Sequence, residues 1–179
     1  MLAASTRRIR LAGAAIAVAA GLAAPAQADA ACAHAGDNPN DISVADAKQA
    51  TICILNKIRH HHGLRRFHLD GRLSVASQRH ANAMAVHNFF GHGDFVGRIR
   101  SAGYLRGARG WTVGENIAWG SLDYATPRAI VRGWMHSPPH RANILSHAFR
   151  AIGIGLARGA PVRGQDRAAT YATDFGRRF

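Results

Sequence analysis

The chain has 179 residues, 47% of them hydrophobic, which is enough for one buried core and too short for two domains of ordinary size. Its 23 lysines and arginines outnumber 10 acidic residues and give a net charge of +13. This charge favours anionic partners, but it excludes few classes of function. The basic residues are spread along the chain, so a basic surface without a dedicated partner also explains them.

The N-terminus has the pattern of a secretory signal peptide. Three arginines precede an alanine-rich apolar stretch at 11–24, and residues 26–28 (Ala-Gln-Ala) have the small-x-small form of a cleavage site. The stretch is short for a membrane span, which disfavours the alternative of a transmembrane anchor. We therefore predict a signal peptide at 1–28, with cleavage after Ala30 as an equal fit. Its removal leaves a secreted chain of net charge +10 without a transmembrane segment.

Two cysteines, Cys32 and Cys53, lie near the predicted mature N-terminus. In an oxidising compartment an even number of cysteines favours a disulfide. This bridge would tie an extended segment at 29–43 to the first helix and contribute about 3 kcal/mol on the loop-entropy model. The alternative is a buried free Cys53 and an unpaired Cys32.

Helical patterns follow in the first half of the chain. Ser43 and Asp46 resemble a capping box, and the helix they begin should end at Gly63. A second helix is predicted from Asp70 as N-cap to about His87. Its inner stripe should consist of Leu73, Ala76, His80 or Ala81, Met84 and His87.

The second helix gives way to a glycine-punctuated loop that presents His92. A short helix is then predicted over 95–102. Thr126 and Pro127 read as the N-cap and first residue of another helix, which Pro138 ends.

Alternating apolar residues over 152–156 and 171–175 predict two strands, which pair antiparallel. Helices that come first and strands that come last indicate an α+β domain, in which helices cover a small, mainly antiparallel sheet.

The candidate site consists of Glu115, the only glutamate, with His92 and His140. Each lies in a segment bordered by glycine or proline and is predicted to be in a loop, where binding groups are common. Two imidazoles and a carboxylate could hold zinc or another divalent cation, or the carboxylate could orient one imidazole as a general base. The alternative is that each histidine is a loop residue bonded to backbone.

Five segments in order resemble the bacterial SCP-like extracellular branch of the CAP superfamily, which comprises cysteine-rich secretory, antigen 5 and pathogenesis-related 1 proteins. They are Asn56 to Leu64, Phe89 to His92, Gly114 to Ala118, Trp134 to Leu145 and Ile152 to Gly155. The resemblance spans about 47–176. It implies a CAP domain at 44–179, folded as a three-layer α-β-α sandwich with an additional early strand.

The resemblance also implies a central cavity with two histidines and two acids. The histidines match His92 and His140, and one acid matches Glu115, whereas the position of the second acid holds Ser137. With one carboxylate fewer, such a site should bind cations less strongly. Two motif asparagines, Asn116 and Asn143, are predicted to hold backbone groups.

We therefore expect a secreted, monomeric binding module, whose His/Glu cavity binds a divalent metal and whose surface groove meets a lipid, a peptide or an anionic envelope component. The alternative is a hydrolase, either a peptidase or an esterase. There either a water activated near Glu115 or Ser137 assisted by His140 would attack the substrate. No oxyanion hole or third triad member is recognisable. Nucleic-acid binding is disfavoured because no nucleic-acid fold is recognisable.

Overall fold

The computed structural model describes residues 32–179, so the predicted signal peptide at 1–28 lies outside them. The described part forms five α-helices, a short 3-10 helix at Leu122–Ala125 and four strands. The helices are α1 Val44–His61, α2 Gly71–His87, α3 Phe95–Ser101, α4 Pro127–His136 and α5 Pro138–Leu145. The strands are β1 His68–Leu69, β2 Trp111–Gly120, β3 Ala151–Arg158 and β4 Ala169–Arg178. None of the helices in residues 32–179 has the length and apolar character to cross a membrane.

The four strands form one sheet in the order β1-β3-β4-β2. The predicted pairing of β3 with β4 is antiparallel, with Ile154 opposite Thr173, and β2 pairs antiparallel with β4. The early strand β1 adds two residues parallel to β3. The α+β prediction is therefore confirmed, and the sheet is mixed because of this short parallel edge.

Helices cover the two faces of the sheet. On one face α1 and α4 enclose the main core, whose large, fully buried members are Leu55, Trp134, Ile144, Ile152, Ile154, Leu156, Tyr171 and Phe175. The polar atoms of its large aromatics are bonded: Trp134 Nε1 donates to Ile117 O at 3.1 Å, and the Tyr171 hydroxyl donates to Ala125 O at 2.8 Å. This core therefore contains no unpaired aromatic donor.

The other face of β3 presents glycines to α2. A Cβ atom at Gly153 would lie 2.1 Å from the carbonyl carbon of Leu73, and one at Gly155 would lie 2.1 Å from Ser77 O. Both neighbours are backbone atoms, which cannot move aside without shifting the helix. The alternation of glycine with aliphatic residues in β3 thus lets α2 lie directly on the sheet.

Three predicted helix starts are confirmed by their caps. The Ser43 hydroxyl accepts from Asp46 N and donates to its carboxylate. The Asp70 carboxylate accepts from the first amides of α2, and Thr126 Oγ1 accepts from Ala129 N. Each bond satisfies an amide that has no partner within its own helix.

The inner stripe of α2 is confirmed except at its end. Leu73, Ala76, His80, Ala81 and Met84 are buried, whereas His87 is exposed. The prediction for His87 was wrong because the last turn of α2 is not covered by another element; Val86 in the same turn is 69% exposed.

The predicted disulfide between Cys32 and Cys53 is present and joins the entry segment to α1. Residues 33–42 form successive turns instead of the extended segment that was predicted. The Asn38 side chain explains the difference. Its Nδ2 donates to Leu122 O at 2.7 Å and to Arg167 O at 3.0 Å, which folds the segment onto the domain.

Candidate functional site

The three candidate residues come from a loop, a strand and a helix. His92 lies in the loop between α2 and α3, as predicted, but Glu115 lies in the middle of β2 and His140 lies in α5. The loop prediction was wrong for Glu115 because the consecutive polar residues Glu115 and Asn116 interrupt the alternation by which a strand is recognised. It was wrong for His140 because Pro138 and the next proline begin a new helix, where prolines are well tolerated.

Glu115 is the buried centre of the site, with a side chain only 1% exposed. Its Oε1 accepts a hydrogen bond from His92 Nδ1 at 2.8 Å, and its Oε2 accepts one from Arg98 Nη2 at 2.7 Å. Arg98 supplies the positive charge that a carboxylate needs in such a position. Both oxygens of Glu115 are therefore engaged by protein donors.

The contact with Glu115 sets the tautomer of His92. Because an ionised carboxylate only accepts hydrogen bonds, the neutral ring must carry its proton on Nδ1. The lone pair of His92 then lies on Nε2, which makes no hydrogen bond within residues 32–179. The His92 side chain is 49% exposed, so the ring reaches solvent.

His140 is the second histidine of the candidate site. Burial lowers the pKa of the His140 ring, and the positive charge that His92 can carry lowers this pKa further. The ring is therefore neutral near pH 7 and makes no hydrogen bond within the described part of the chain. Neutral imidazoles of this kind are available as ligands or proton acceptors.

Asn116 and Asn143 connect α5 to β2. Asn116 Nδ2 donates to His140 O at 3.0 Å, and Asn143 Nδ2 donates to Glu115 O at 3.2 Å and to Asn116 Oδ1 at 2.9 Å. These bonds fix the backbone of His140 relative to the backbone of Glu115.

Two further residues at the site, Arg98 and His80, were not identified as site residues from sequence. Arg98 Nη2 also donates to His92 O at 2.7 Å, so one guanidinium binds both partners. His80 Nε2 donates to Gly91 O at 3.0 Å and lies 3.8 Å from Glu115 Oε2. Nothing in the sequence distinguishes Arg98 from the many other arginines. The predicted position of His80 on the inner face of α2, by contrast, could have indicated a buried functional histidine.

A second carboxyl group, Asp174, lies directly opposite Glu115 in the pairing of β2 with β4. It is fully buried; its Oδ2 accepts from Ser77 Oγ at 2.8 Å, and its Oδ1 has no hydrogen-bond partner among residues 32–179. Burial, and secondly the charge of Glu115, raise the pKa of Asp174 to about 7. The alternation of residues in β4 predicts that Asp174 lies on the side of the strand opposite the apolar residues. In the structure α2 covers this side, so Asp174 is buried.

Ser137 occupies the N-cap of α5, where its side chain makes no capping bond. It makes no hydrogen bond with His140 either. Within residues 32–179 no three histidine, cysteine or acidic side chains are placed to hold a metal ion together. Of the two candidate rings, that of His92 is oriented by the buried carboxylate of Glu115.

Comparison with known proteins gives a family match over most of the described part. The model of the cysteine-rich secretory protein family, CAP, matches residues 54–173. An uncharacterized protein of Bacillus subtilis (strain 168), YkwD, is 30% identical over 129 residues, which are 69% of this chain and 47% of that protein. The chain thus spans less than half the length of this relative.

Solved structures show a similar fold. An extracellular protein containing an SCP domain from Bacillus anthracis str. Ames is 24% identical with a TM-score of 0.57, over 76% of this chain and 44% of that one. An outer surface protein from Borrelia burgdorferi is 18% identical with a TM-score of 0.64, over 77% of this chain and 97% of that one.

Proposed function

The chain belongs to the cysteine-rich secretory protein family, CAP, and we propose that it is an extracytoplasmic binding module in which His92 and His140 bind a divalent transition-metal cation such as zinc. The predicted signal peptide at 1–28 supports the location, as do the extracellular and outer-surface proteins to which the chain is similar. The observation that carries the cation site is the bond between Glu115 and His92 Nδ1, because it leaves Nε2 of His92 without a hydrogen-bond partner within residues 32–179.

The donor set fits a cation of this class. Imidazole nitrogen is a preferred ligand of zinc, and it must be unprotonated to bind. The lowered pKa of His140 favours this condition, and the bond to Glu115 directs the Nε2 of a neutral His92 ring away from the carboxylate. A carboxylate on the far nitrogen is also the usual partner of a metal-binding histidine, since it fixes the ring and makes it a stronger donor.

In this proposal Glu115 is not a metal ligand. Its two oxygens are already bonded to His92 and Arg98, so it orients the first ring and does not complete a three-residue site. A cation held by only two side chains would supply positive charge and free positions for an anionic group of a ligand. The protein's own contribution is the fixed placement of the two rings.

The hydrolase alternative has no comparable support from the geometry. Within residues 32–179 no serine, threonine or cysteine side chain forms a hydrogen bond with the ring of His92 or of His140. Ser137, the hydroxyl proposed from sequence, caps no helix amide and contacts neither ring through a hydrogen bond. A nucleophile within hydrogen-bond reach of its base is the usual sign of covalent catalysis.

Isothermal titration of zinc into the chain without residues 1–28 tests the proposal. We expect one site, and about tenfold or greater loss of affinity when His92→Ala and His140→Ala are combined, since both ligands are then gone. The matched control combines His87→Ala with His136→Ala, which removes two exposed histidines outside the site. Zinc affinity that survives loss of His92 and His140, or that falls equally in the control, contradicts the proposal.

A further inference from the structure

A cleft of about 590 Å³ is lined by residues that take no part in the histidine site. It lies where the end of β4 meets the start of β3, the N-terminus of α2 and the segment after α3. Its charged and aromatic lining includes Asp70, Tyr104, Arg109, Arg150, Arg177 and Arg178. This volume is in the range of small-molecule sites.

The charge of this cleft is strongly positive. Four arginines line it against one acidic side chain, that of Asp70. One oxygen of the Asp70 carboxylate, Oδ1, caps α2 by accepting from Arg72 N at 2.8 Å and from Leu73 N at 3.1 Å. Asp70 is the only acidic side chain among the described residues that line the cleft, so basic side chains outnumber acidic ones there.

Two of the arginines are held in place by the protein. The guanidinium of Arg178 lies over the ring of buried Tyr104, 4.8 Å from its centre. Tyr104 in turn packs on Gly176, where a Cβ atom would lie 2.5 Å from its hydroxyl. Arg150 Nη1 donates to His147 O at 2.8 Å and to Phe149 O at 3.1 Å. The cost of ordering these long side chains is therefore met before any ligand binds.

The other two, Arg109 and Arg177, are exposed, and within residues 32–179 their side chains form no hydrogen bond or ion pair. Their donors remain available to a ligand. A guanidinium binds oxyanions through two parallel hydrogen bonds, and a carboxylate satisfies only one such fork. A tetrahedral oxyanion has enough acceptor oxygens to serve several guanidinium groups.

We propose that this arginine cleft binds a small, soluble phosphate monoester. The shape favours a soluble ester over a bilayer. Arg150 is half-buried, and a small group can enter to reach it, whereas the surface of a membrane cannot. The proposal does not depend on the cation site, since the two sites share no residue.

Titration of glycerol 3-phosphate and of inorganic phosphate into the chain without residues 1–28, at low ionic strength, tests the cleft. We expect about tenfold or greater weakening when Arg109→Gln and Arg177→Gln are combined, because two charge-assisted contacts are lost. These side chains bond to nothing in the described part, so the fold should be retained. The control is Arg163→Gln, an exposed arginine outside the cleft, which should leave the affinity unchanged.

Three outcomes overturn the proposal. The first is absence of phosphate binding, and the second is an equal loss in the Arg163→Gln control, which would indicate diffuse charge. The third is binding to phosphatidylglycerol vesicles, lost in the Arg109→Gln, Arg177→Gln variant, without binding of the soluble ester; the cleft would then be a membrane contact. Zinc binding by the arginine variant, measured in parallel, shows whether the histidine site is intact.

Discussion

Replacing Glu115 with alanine is expected to lower the free energy of unfolding by about 2–4 kcal/mol. The change removes the acceptor of both His92 Nδ1 and Arg98 Nη2, and it leaves the Arg98 charge without its partner. The expected cost is below that of a fully buried pair because Arg98 remains 23% exposed and can be partly hydrated. Chemical denaturation at pH 7 measures the difference.

A double-mutant cycle separates the ion pair from the packing of the Glu115 side chain. In an Arg98→Ala background, Glu115→Ala should cost about 1–2 kcal/mol less than it does in the natural chain, because no unpaired charge is created. An equal cost in the two backgrounds would show that the contact between Glu115 and Arg98 contributes no coupling energy, contrary to the geometry described above.

Replacing Asp174 with asparagine is expected to make the protein more stable than the natural chain by an amount that increases with pH. The folded-state pKa of Asp174 is raised to about 7, so the folded chain holds a proton there that the unfolded chain releases at much lower pH. Natural stability should therefore fall as pH rises towards 7 and level off above it. Asparagine stays neutral, so its advantage should grow by about 2–3 kcal/mol between pH 5 and pH 8.

Urea denaturation of both proteins at pH 5 and at pH 8 measures this growth, and the difference between variant and natural chain removes the contribution of other titrating groups. In a Glu115→Gln background the growth should be smaller, because the charge of Glu115 is the second cause of the raised pKa. Arg98 and the Ser77 hydroxyl lower the pKa of Asp174 and remain in that background. A stability difference independent of pH would mean that Asp174 is ionised in the folded protein at pH 5.

The elements that sequence predicts well are those with local signals. Ser43, Asp70 and Thr126 each supply a side-chain oxygen to the first turn of their own helix, so a few consecutive residues determine the helix start. The alternation in β3 and β4 is equally local. By contrast, β2 contains polar Glu115 and Asn116 side by side, and both are buried because helices cover the two faces of the sheet.

The residues of the candidate site also divide into those that the sequence predicts and those that it does not. His92, Glu115 and His140 could be found from sequence because a single glutamate in an apolar run is unusual and the family motifs contain all three. Arg98 and Asp174 could not, because their importance depends on which distant residue they face. Asp174 lies opposite Glu115 only through the register of β2 with β4, which no local pattern specifies.

The arginine cleft illustrates the same limit for charge. The net charge of +13 describes a basic chain without locating a binding surface. Only the fold brings Arg109, Arg150 and the end of β4 together around one cleft. A charge that is scattered in sequence is therefore concentrated in space.

The central claim is that Glu115 orients His92 so that this ring and His140 bind one cation. Anomalous diffraction from a zinc-soaked crystal of the chain without residues 1–28 tests it most directly. The account predicts one strong peak about 2.0–2.1 Å from Nε2 of His92 and from a ring nitrogen of His140, with Glu115 still bonded to Nδ1. A peak bound instead by the Glu115 carboxylate, or by histidines elsewhere with none between these two rings, would contradict it.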